Sequence, residues 1–277
     1  ENCCMASINL AEHIKLIENN QTTNGSNKQK EAEMIFDKMV DWEKLQETVE
    51  WTVRWLDDVV DANKYVPAVP QLQEAAHKNR RIGVSLMGLA DLMYMVGVRY
   101  GSNKAVDLSG QIMEFIRFHS LRTSVQLARE RRPFPGIAGS IYDFSSEGRM
   151  KHPDVSLFEA PQPIDQYTHH FGRPKLDWDG LYQDIKKYGV RNSAQTTIQP
   201  TGAIATIAGL EGYGCEPVFA LSYIMRTHEG AEDKGDGEWA ELTYESSLFA
   251  ESLKKAGLSN KERDIVFEVV RKKGTCQ

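Results

Sequence analysis

Apolar positions along the chain keep one of two rhythms, and each rhythm predicts an element. Met39, Leu45, Val49, Leu56 and Val60 hold roughly helical spacing through a charged background, which predicts an amphipathic helix or a helix pair packed on something larger. Trp51 and Trp55, one helical turn apart in that stretch, read as packing residues. Pro67 and Pro70 interrupt the pattern, Gln71 to Lys78 suits a short helix, and Arg81 to Gly88, RIGVSLMG, reads as a strand closed by glycine. A helix through Leu89 to Val96 follows. The longest helix starts from Ser102 as N-cap, turns Leu108, Ile112, Phe115, Ile116 and Leu127 inward, and ends near Arg132, before Pro133. The stretch after it, rich in Pro, Gly, Ser and Asp, is expected to be largely irregular up to a helix at Trp178 to Lys187. Thr196 to Ile198 are strand formers, Glu216 to Tyr223 is a second apolar run, and Thr243 to Ala256 and Lys261 to Lys273 are expected to be helices. Strands separated by helices define an α/β class with parallel pairing.

Composition narrows the class without changing it. A chain of 277 residues with 41% hydrophobic side chains builds a sizeable core, read as a single domain over 1–277, with a polar, turn-rich surface loop at 18–33. The net charge of −6 argues against nucleic acid as a partner. No apolar run approaches the roughly 20 residues of a membrane span, and ENCCMASINL lacks the basic start of a signal peptide, so a cytoplasmic, membrane-free protein is expected. Cys3, Cys4, Cys215 and Cys276 are too few and too scattered for a disulfide scaffold and act, if at all, as thiols. His169 and His170 are adjacent, a poor spacing for ligands on one face, and no CxxC or HExxH pattern exists, so no metal site is expected. His119 is read as a packed residue, Cys215 and Cys276 as inert thiols, and EGAEDKGDGEWAE from Glu229 to Glu241 as a solvated loop.

One stretch is conspicuously quiet. In TTIQPTGAIATIAG, Thr196 to Gly209, Pro200 suits the opening of a helix, and Thr201 and Gly202 leave the backbone bare. Free amides at such a turn point one way and carry partial positive charge, so a phosphate can sit there without Lys or Arg. The spacing is equally that of an ordinary strand-to-helix connection in a core, and spacing alone leaves both readings open.

Six blocks taken together decide more. CCMASINL (Cys3 to Leu10), NRRIGVSLMGLADLMY (Asn79 to Tyr94), MEFIRFHSL (Met113 to Leu121), ERRPFP (Glu130 to Pro135), NSAQTTIQPTGAIATIAG (Asn192 to Gly209) and EPVFALSY (Glu216 to Tyr223) resemble, in order, the catalytic large chain of ribonucleotide reductase. EGYGCEPVFALSY looks most like the adenosylcobalamin-dependent class. The resemblance implies a helix-rich part, the second half-barrel, of a ten-stranded α/β barrel with its active site inside. It implies that Pro200, Thr201, Gly202, Ala203 and Ile204 grip the substrate diphosphate through backbone amides, although Ala203 and Ala205 stand where the family often has hydroxyls. It also implies that Cys3 is one of two redox thiols delivering electrons to the ribose, with Cys4 where the family usually has Asn. Replacing a 2′-hydroxyl by hydrogen needs two electrons, and two thiols closing to a disulfide supply them.

The family's NPCGE-like motif, with the thiyl-radical cysteine and the residues that hold the ribose, does not occur in this sequence, and neither does the C-terminal cysteine pair. The chain is therefore expected to be a catalytic-barrel fragment, inactive alone and completed by an N-terminal portion. Adenosylcobalamin, a ribonucleotide substrate and an external, thioredoxin-like dithiol reductant complete the expected set. The alternative is a non-catalytic or regulatory half-barrel that binds only nucleotide or a partner chain.

Overall fold

The computed structural model describes residues 4–16, 38–159, 167–229 and 238–274. The expected loop at 18–33, Cys3, Cys276 and the middle of the charged run after Glu229 lie outside them. In chain order the elements are β1 (Cys4–Asn9), β2 (Ile14–Leu16), β3 (Lys38–Val40), α1 (Trp42–Ala62), α2 (Pro70–Asn79), β4 (Ile82–Met87), α3 (Leu89–Met95), α4 (Asn103–Arg131), α5 (Ser146–Lys151), α6 (Trp178–Tyr188), α7 (Gly202–Ile207), β5 (Ser222–Glu229), β6 (Glu238–Glu245), α8 (Ser247–Lys255) and α9 (Asn260–Lys273).

Parallel pairing organises the molecule. β1 and β4 run side by side from Cys4↔Ile82 to Asn9↔Met87. A third extended segment lies along the other edge of β4: Ile82 N–H donates to Ala194 O (3.0 Å), Val84 N–H to Gln195 O (2.8 Å) and Thr197 N–H to Val84 O (3.0 Å). The strand expected at Thr196 to Ile198 is thus reduced to a single bridge, Val84↔Thr196, because the chain turns away at Pro200 after one rung. Flanked on both edges and covered on both faces, β4 is buried along its whole length, as a parallel strand inside an α/β layer must be.

The helices form where their caps and apolar stripes say. Asp41 accepts the Lys44 amide (3.2 Å) and starts α1, which turns Leu45, Val49, Val53, Leu56 and Val60 onto the sheet, each fully or almost fully buried. Each such side chain contributes about 1.5–3 kcal/mol by leaving water. Ser102 accepts the Ala105 amide (3.1 Å) and starts α4, which runs as far as Arg131. α4 packs on two sides. Ile112, Phe115 and Ile116 join the sheet core, with Phe115 5.0 Å from the Trp42 ring. Phe118, Leu121 and Val125 join a second core with Phe134, Tyr142, Phe158 and Ile185, formed by the irregular stretch after Pro133 and α6. A helix apolar on more than one face is a buried helix.

Four expectations are corrected. Thr243 to Glu245 belong to β6, not to a helix: they pair with β5 in an antiparallel hairpin, and the helix starts only after Ser246, whose hydroxyl accepts the Phe249 amide (3.0 Å). Glu238 to Glu241, read as loop, lie in the same strand, and the apolar run at Glu216 becomes a strand only from Ser222. Trp51 and Trp55 do not pack: they are 66% and 59% exposed, on the face of α1 opposite its Leu/Val stripe. His119 is buried as expected, against the Phe115 ring at 4.2 Å, and burial with the nearby Arg122 charge lowers its pKa to about 4.

Candidate functional site

The C-terminal ends of the parallel strands are where α/β sheets place their ligands, because loops leaving adjacent strands diverge there and expose backbone. Here two turns meet. One is Gln199–Gly202, leaving the third segment. Its Gln199 side-chain amide donates to Ser7 Oγ of β1, and its backbone N–H to Ser85 Oγ of β4 (3.3 Å), so the turn is tied to both neighbouring strands. The other is the glycine-rich loop Glu211–Glu216. Asp91, in the first turn of α3, accepts the Glu211 and Gly212 amides, both at 2.8 Å, and Gly88 N–H donates to Tyr213 O at 2.8 Å. Asp91 is buried, which raises its pKa, and the two amides oppose that rise. Glu211 in turn receives the Ser247 hydroxyl (2.8 Å) and the Leu248 amide (3.1 Å) at the start of α8.

Close approach of the two turns demands glycine. A Cβ on Gly214 would stand 2.8 Å from the Gln199 carbonyl oxygen and 3.6 Å from Thr201 Oγ1. Gly88 has φ +73 and faces Leu210 so closely that a Cβ would lie 2.9 Å from Cδ2. Thr201 itself holds a left-handed backbone (φ 54, ψ 10), uncommon for a β-branched residue. It is 8% exposed, and its hydroxyl is buried with no hydrogen-bond partner. An unsatisfied buried hydroxyl costs about 1–3 kcal/mol, a cost that a ligand oxygen removes.

Of the residues expected to grip phosphate, Pro200 is exposed, Thr201 is buried, Gly202 opens α7, and Ala203 and Ile204 face outward. The structure keeps the five contiguous at one end of the sheet. Ala205 is fully buried and faces the core, so a hydroxyl there would not reach a ligand. Beside them Ile198, Ile204 and Ile207 are exposed, and the exposed Glu216 carboxylate accepts the Gly214 amide (2.8 Å) where the two turns meet. Cys3 lies outside the described residues. Its neighbour Cys4 packs with Ala6 and Ile8 on the helix-covered face of β1, and burial raises its thiol pKa. Met5 and Ser7 occupy the other face, toward Thr197 and Gln199. Cys4 also stands at the N-terminal end of the strand, about 16 Å from the level of Asn9 at the strand's usual rise.

Gln199, Ser7, Ser85, Asp91 and Gly214 are site residues that sequence reasoning missed. Asp91 sits three residues after Gly88, a signal of a carboxylate aimed at amides, but one indistinguishable from an ordinary first-turn acid. His169, expected to bind no metal, pairs instead with Asp107 (2.7 Å). Among the described residues no group of three or more His, Cys, Asp or Glu side chains is placed to hold a metal ion, and no helix is long and apolar enough to cross a membrane.

A family profile, the ribonucleotide reductase barrel domain, matches residues 1–273. The chain belongs to the ribonucleotide reductase barrel-domain family. It is similar to the ribonucleoside-diphosphate reductase subunit alpha of Chlamydia pneumoniae, 28% identical over 260 residues, covering 94% of this chain and 21% of that protein. It is also similar to vitamin B12-dependent ribonucleoside-diphosphate reductases: 30% identity over 262 residues with that of Thermoplasma acidophilum, covering 95% of this chain and 25% of that protein. With the Mycobacterium tuberculosis enzyme identity is 32% over 192 residues, covering 69% and 21%. The chain spans about a fifth to a quarter of the length of these curated relatives. The reductase barrel domain is thus a helix-rich α/β unit in which β1, β4 and the segment at Ala194 lie parallel.

Proposed function

We propose that this chain is the phosphate-gripping and redox portion of a ribonucleotide reductase catalytic barrel, the second half of a ten-stranded barrel, acting only with an N-terminal portion that carries the radical cysteine. The observation that carries the reading is the orphaned, buried hydroxyl of Thr201 in a strained turn at the C-terminal ends of parallel strands. The amides of Gly202, Ala203 and Ile204 are the donors for a substrate diphosphate, and Thr201 Oγ1 adds a side-chain donor. No cation is needed, because the main chain supplies the charge complement. The exposed Ile198, Ile204 and Ile207 beside the turn support a covering partner, since open apolar surface of this kind is costly in water.

Electron balance fixes the role of sulfur. Loss of the 2′-hydroxyl as water takes up two electrons and two protons, which two thiols provide in closing to a disulfide, and an external thioredoxin-like dithiol reopens it. Cys3 is proposed as one of that pair. Cys4, partly buried against the core with its thiol pKa raised by burial, is the weaker candidate because less of it stands as thiolate. Adenosylcobalamin, when bound to the assembled enzyme, supplies the radical that starts the reaction. The described residues do not make a corrin site of their own: Ile198, Ile204 and Ile207 are exposed beside the turn, and the unpartnered Thr201 hydroxyl suits an oxyanion.

The test is to combine this chain with a separately expressed N-terminal portion and measure deoxyribonucleotide formation with adenosylcobalamin and a dithiol, comparing Cys3→Ser with Cys4→Ser. Turnover abolished by Cys3→Ser and kept by Cys4→Ser is expected. Turnover that survives Cys3→Ser removes that residue from the mechanism. A second reading, a non-catalytic half-barrel that binds nucleotide or a partner only, draws on Ala203, which brings no hydroxyl to the mouth of the turn; a stable complex that binds nucleotide without turnover would select it.

A further inference from the structure

A cleft of about 520 Å³ opens between α3 and α8, away from the strand-end turns, and its size is that of a small-molecule site. Met93 and Val98 wall one side, Leu221 and Phe249 the other, and Tyr100 and Arg99 stand at the edge. The walls are fixed before any ligand arrives. The turn that carries Arg99 is closed by the Val98 amide on Met93 O (2.8 Å) after Gly97 with φ +68. The Tyr100 hydroxyl is spent on the Cys215 carbonyl (2.7 Å), which holds its ring in place. Opposite, α8 is locked by its Ser246 cap and by the Glu211 carboxylate on the Leu248 amide.

Charge is the discriminating feature. Arg99 is the sole charged side chain in the lining, it is exposed, and among the described residues no acidic side chain pairs with it. The geometry points to a binding site for a small organic anion: an aromatic or branched aliphatic body enters between Met93, Leu221 and Phe249, and its carboxylate, sulfonate or phosphate lies against the Arg99 guanidinium. A cation would meet Arg99 unfavourably, and a sugar-like ligand would leave its hydroxyls unpaired against apolar walls. The cleft shares Tyr100 with the support of the Glu211–Glu216 loop, so an occupant touches the scaffold of the strand-end site without entering it.

The probe is anilinonaphthalene sulfonate, an aromatic body with one anionic group, titrated into the chain by fluorescence beside its uncharged relative N-phenylnaphthylamine. One saturable site is expected for both. Ser252→Trp, which fills the cleft from its α8 rim, removes it. Arg99→Ala weakens the sulfonate about threefold, the value of a partly exposed ion pair, and leaves the neutral probe unchanged. Unaltered sulfonate binding in Arg99→Ala, or an equal loss for both probes, overturns the anion assignment; binding that persists in Ser252→Trp overturns the site. Arg99 is exposed, so its variant folds and decides the matter if Ser252→Trp disturbs α8.

Discussion

The two ends of the parallel sheet are closed in opposite ways. At the N-terminal end, Asp57 is fully buried and saturated: Arg80 Nε (2.9 Å), Arg131 Nη1 (3.2 Å), Arg191 Nε (3.3 Å) and Asn192 Nδ2 (3.0 Å) all donate to its carboxylate. Ser124 completes the set by donating to Asn192 Oδ1 (2.9 Å). At the C-terminal end the same strands finish in turns held by backbone amides on Asp91, with the Thr201 hydroxyl left over. At the first end the buried carboxylate is fully paired. The other leaves the Thr201 hydroxyl unpartnered, which is what the proposed anion site requires, since a fully satisfied turn has nothing to offer a ligand.

That contrast can be broken most strongly at Asp57. Asp57→Ala leaves three arginines around an empty acceptor and is expected to cost about 3–5 kcal/mol in chemical denaturation. Gly88→Ala, at φ +73 against Leu210, is expected to cost about 1–3 kcal/mol, while the Asp57 network stays intact. Thr201→Val runs the other way. It removes a buried hydroxyl without a partner at equal volume, so stability rises by about 1 kcal/mol while binding of inorganic pyrophosphate, followed by calorimetry, weakens. A loss of stability in Thr201→Val would mean that the hydroxyl is already used within the chain, and the contrast between the ends would fail.

Acid sharpens the comparison. Arg80 hydrogen-bonds Asp61 and lowers its pKa, so that carboxylate stabilises the fold above the ordinary carboxylate range and the contribution is lost as pH falls through its lowered value. Half-exposed, Asp61 is worth less than about 1 kcal/mol. Asp91 has the reverse sign: burial raises its pKa, so the folded chain holds that proton more tightly than the unfolded one. Stability therefore falls as pH rises from the ordinary carboxylate value through the raised one. Melting curves of Asp61→Asn and Asp91→Asn against pH are expected to flatten the profile in opposite directions. The smallest effect belongs to Trp51→Ala, within about 0.5 kcal/mol, because that side chain is 66% exposed on the solvent face of α1.

The long helix was legible from its Ser102 cap, and the helices near Trp178 and Lys261 from their spacing; the caps Asp177 and Ser259 were missed, and Pro70, read as an interruption, opens α2. β4 was legible too, as a mostly apolar run closed by Gly88. β6 was not: its first half reads as the end of a charged loop and its second half as a helix start, and only pairing with β5 decides. Asp57 was hidden for the same reason. In the repeat of α1 it looks like a solvated charge, and its three arginine partners lie 23, 74 and 134 positions away. The turn at Gln199–Gly202 was legible as bare backbone, but the roles of Gln199, Ser7 and Asp91 were not, since what they do depends on strands brought together from distant parts of the chain.

That assembly also sets a clock. Cys4 finds its rung opposite Ile82, and Ile82 in turn donates to Ala194, so the central strand cannot be flanked on both edges until most of the chain exists. At ribosomal speeds of about 5–20 residues per second, β1 waits on the order of ten seconds or more between its own synthesis and the arrival of the third segment. During that interval the quiet, β-prone edge of β4 is bare, and the protein's exposure to misassembly lies in those seconds of growth more than in the finished fold.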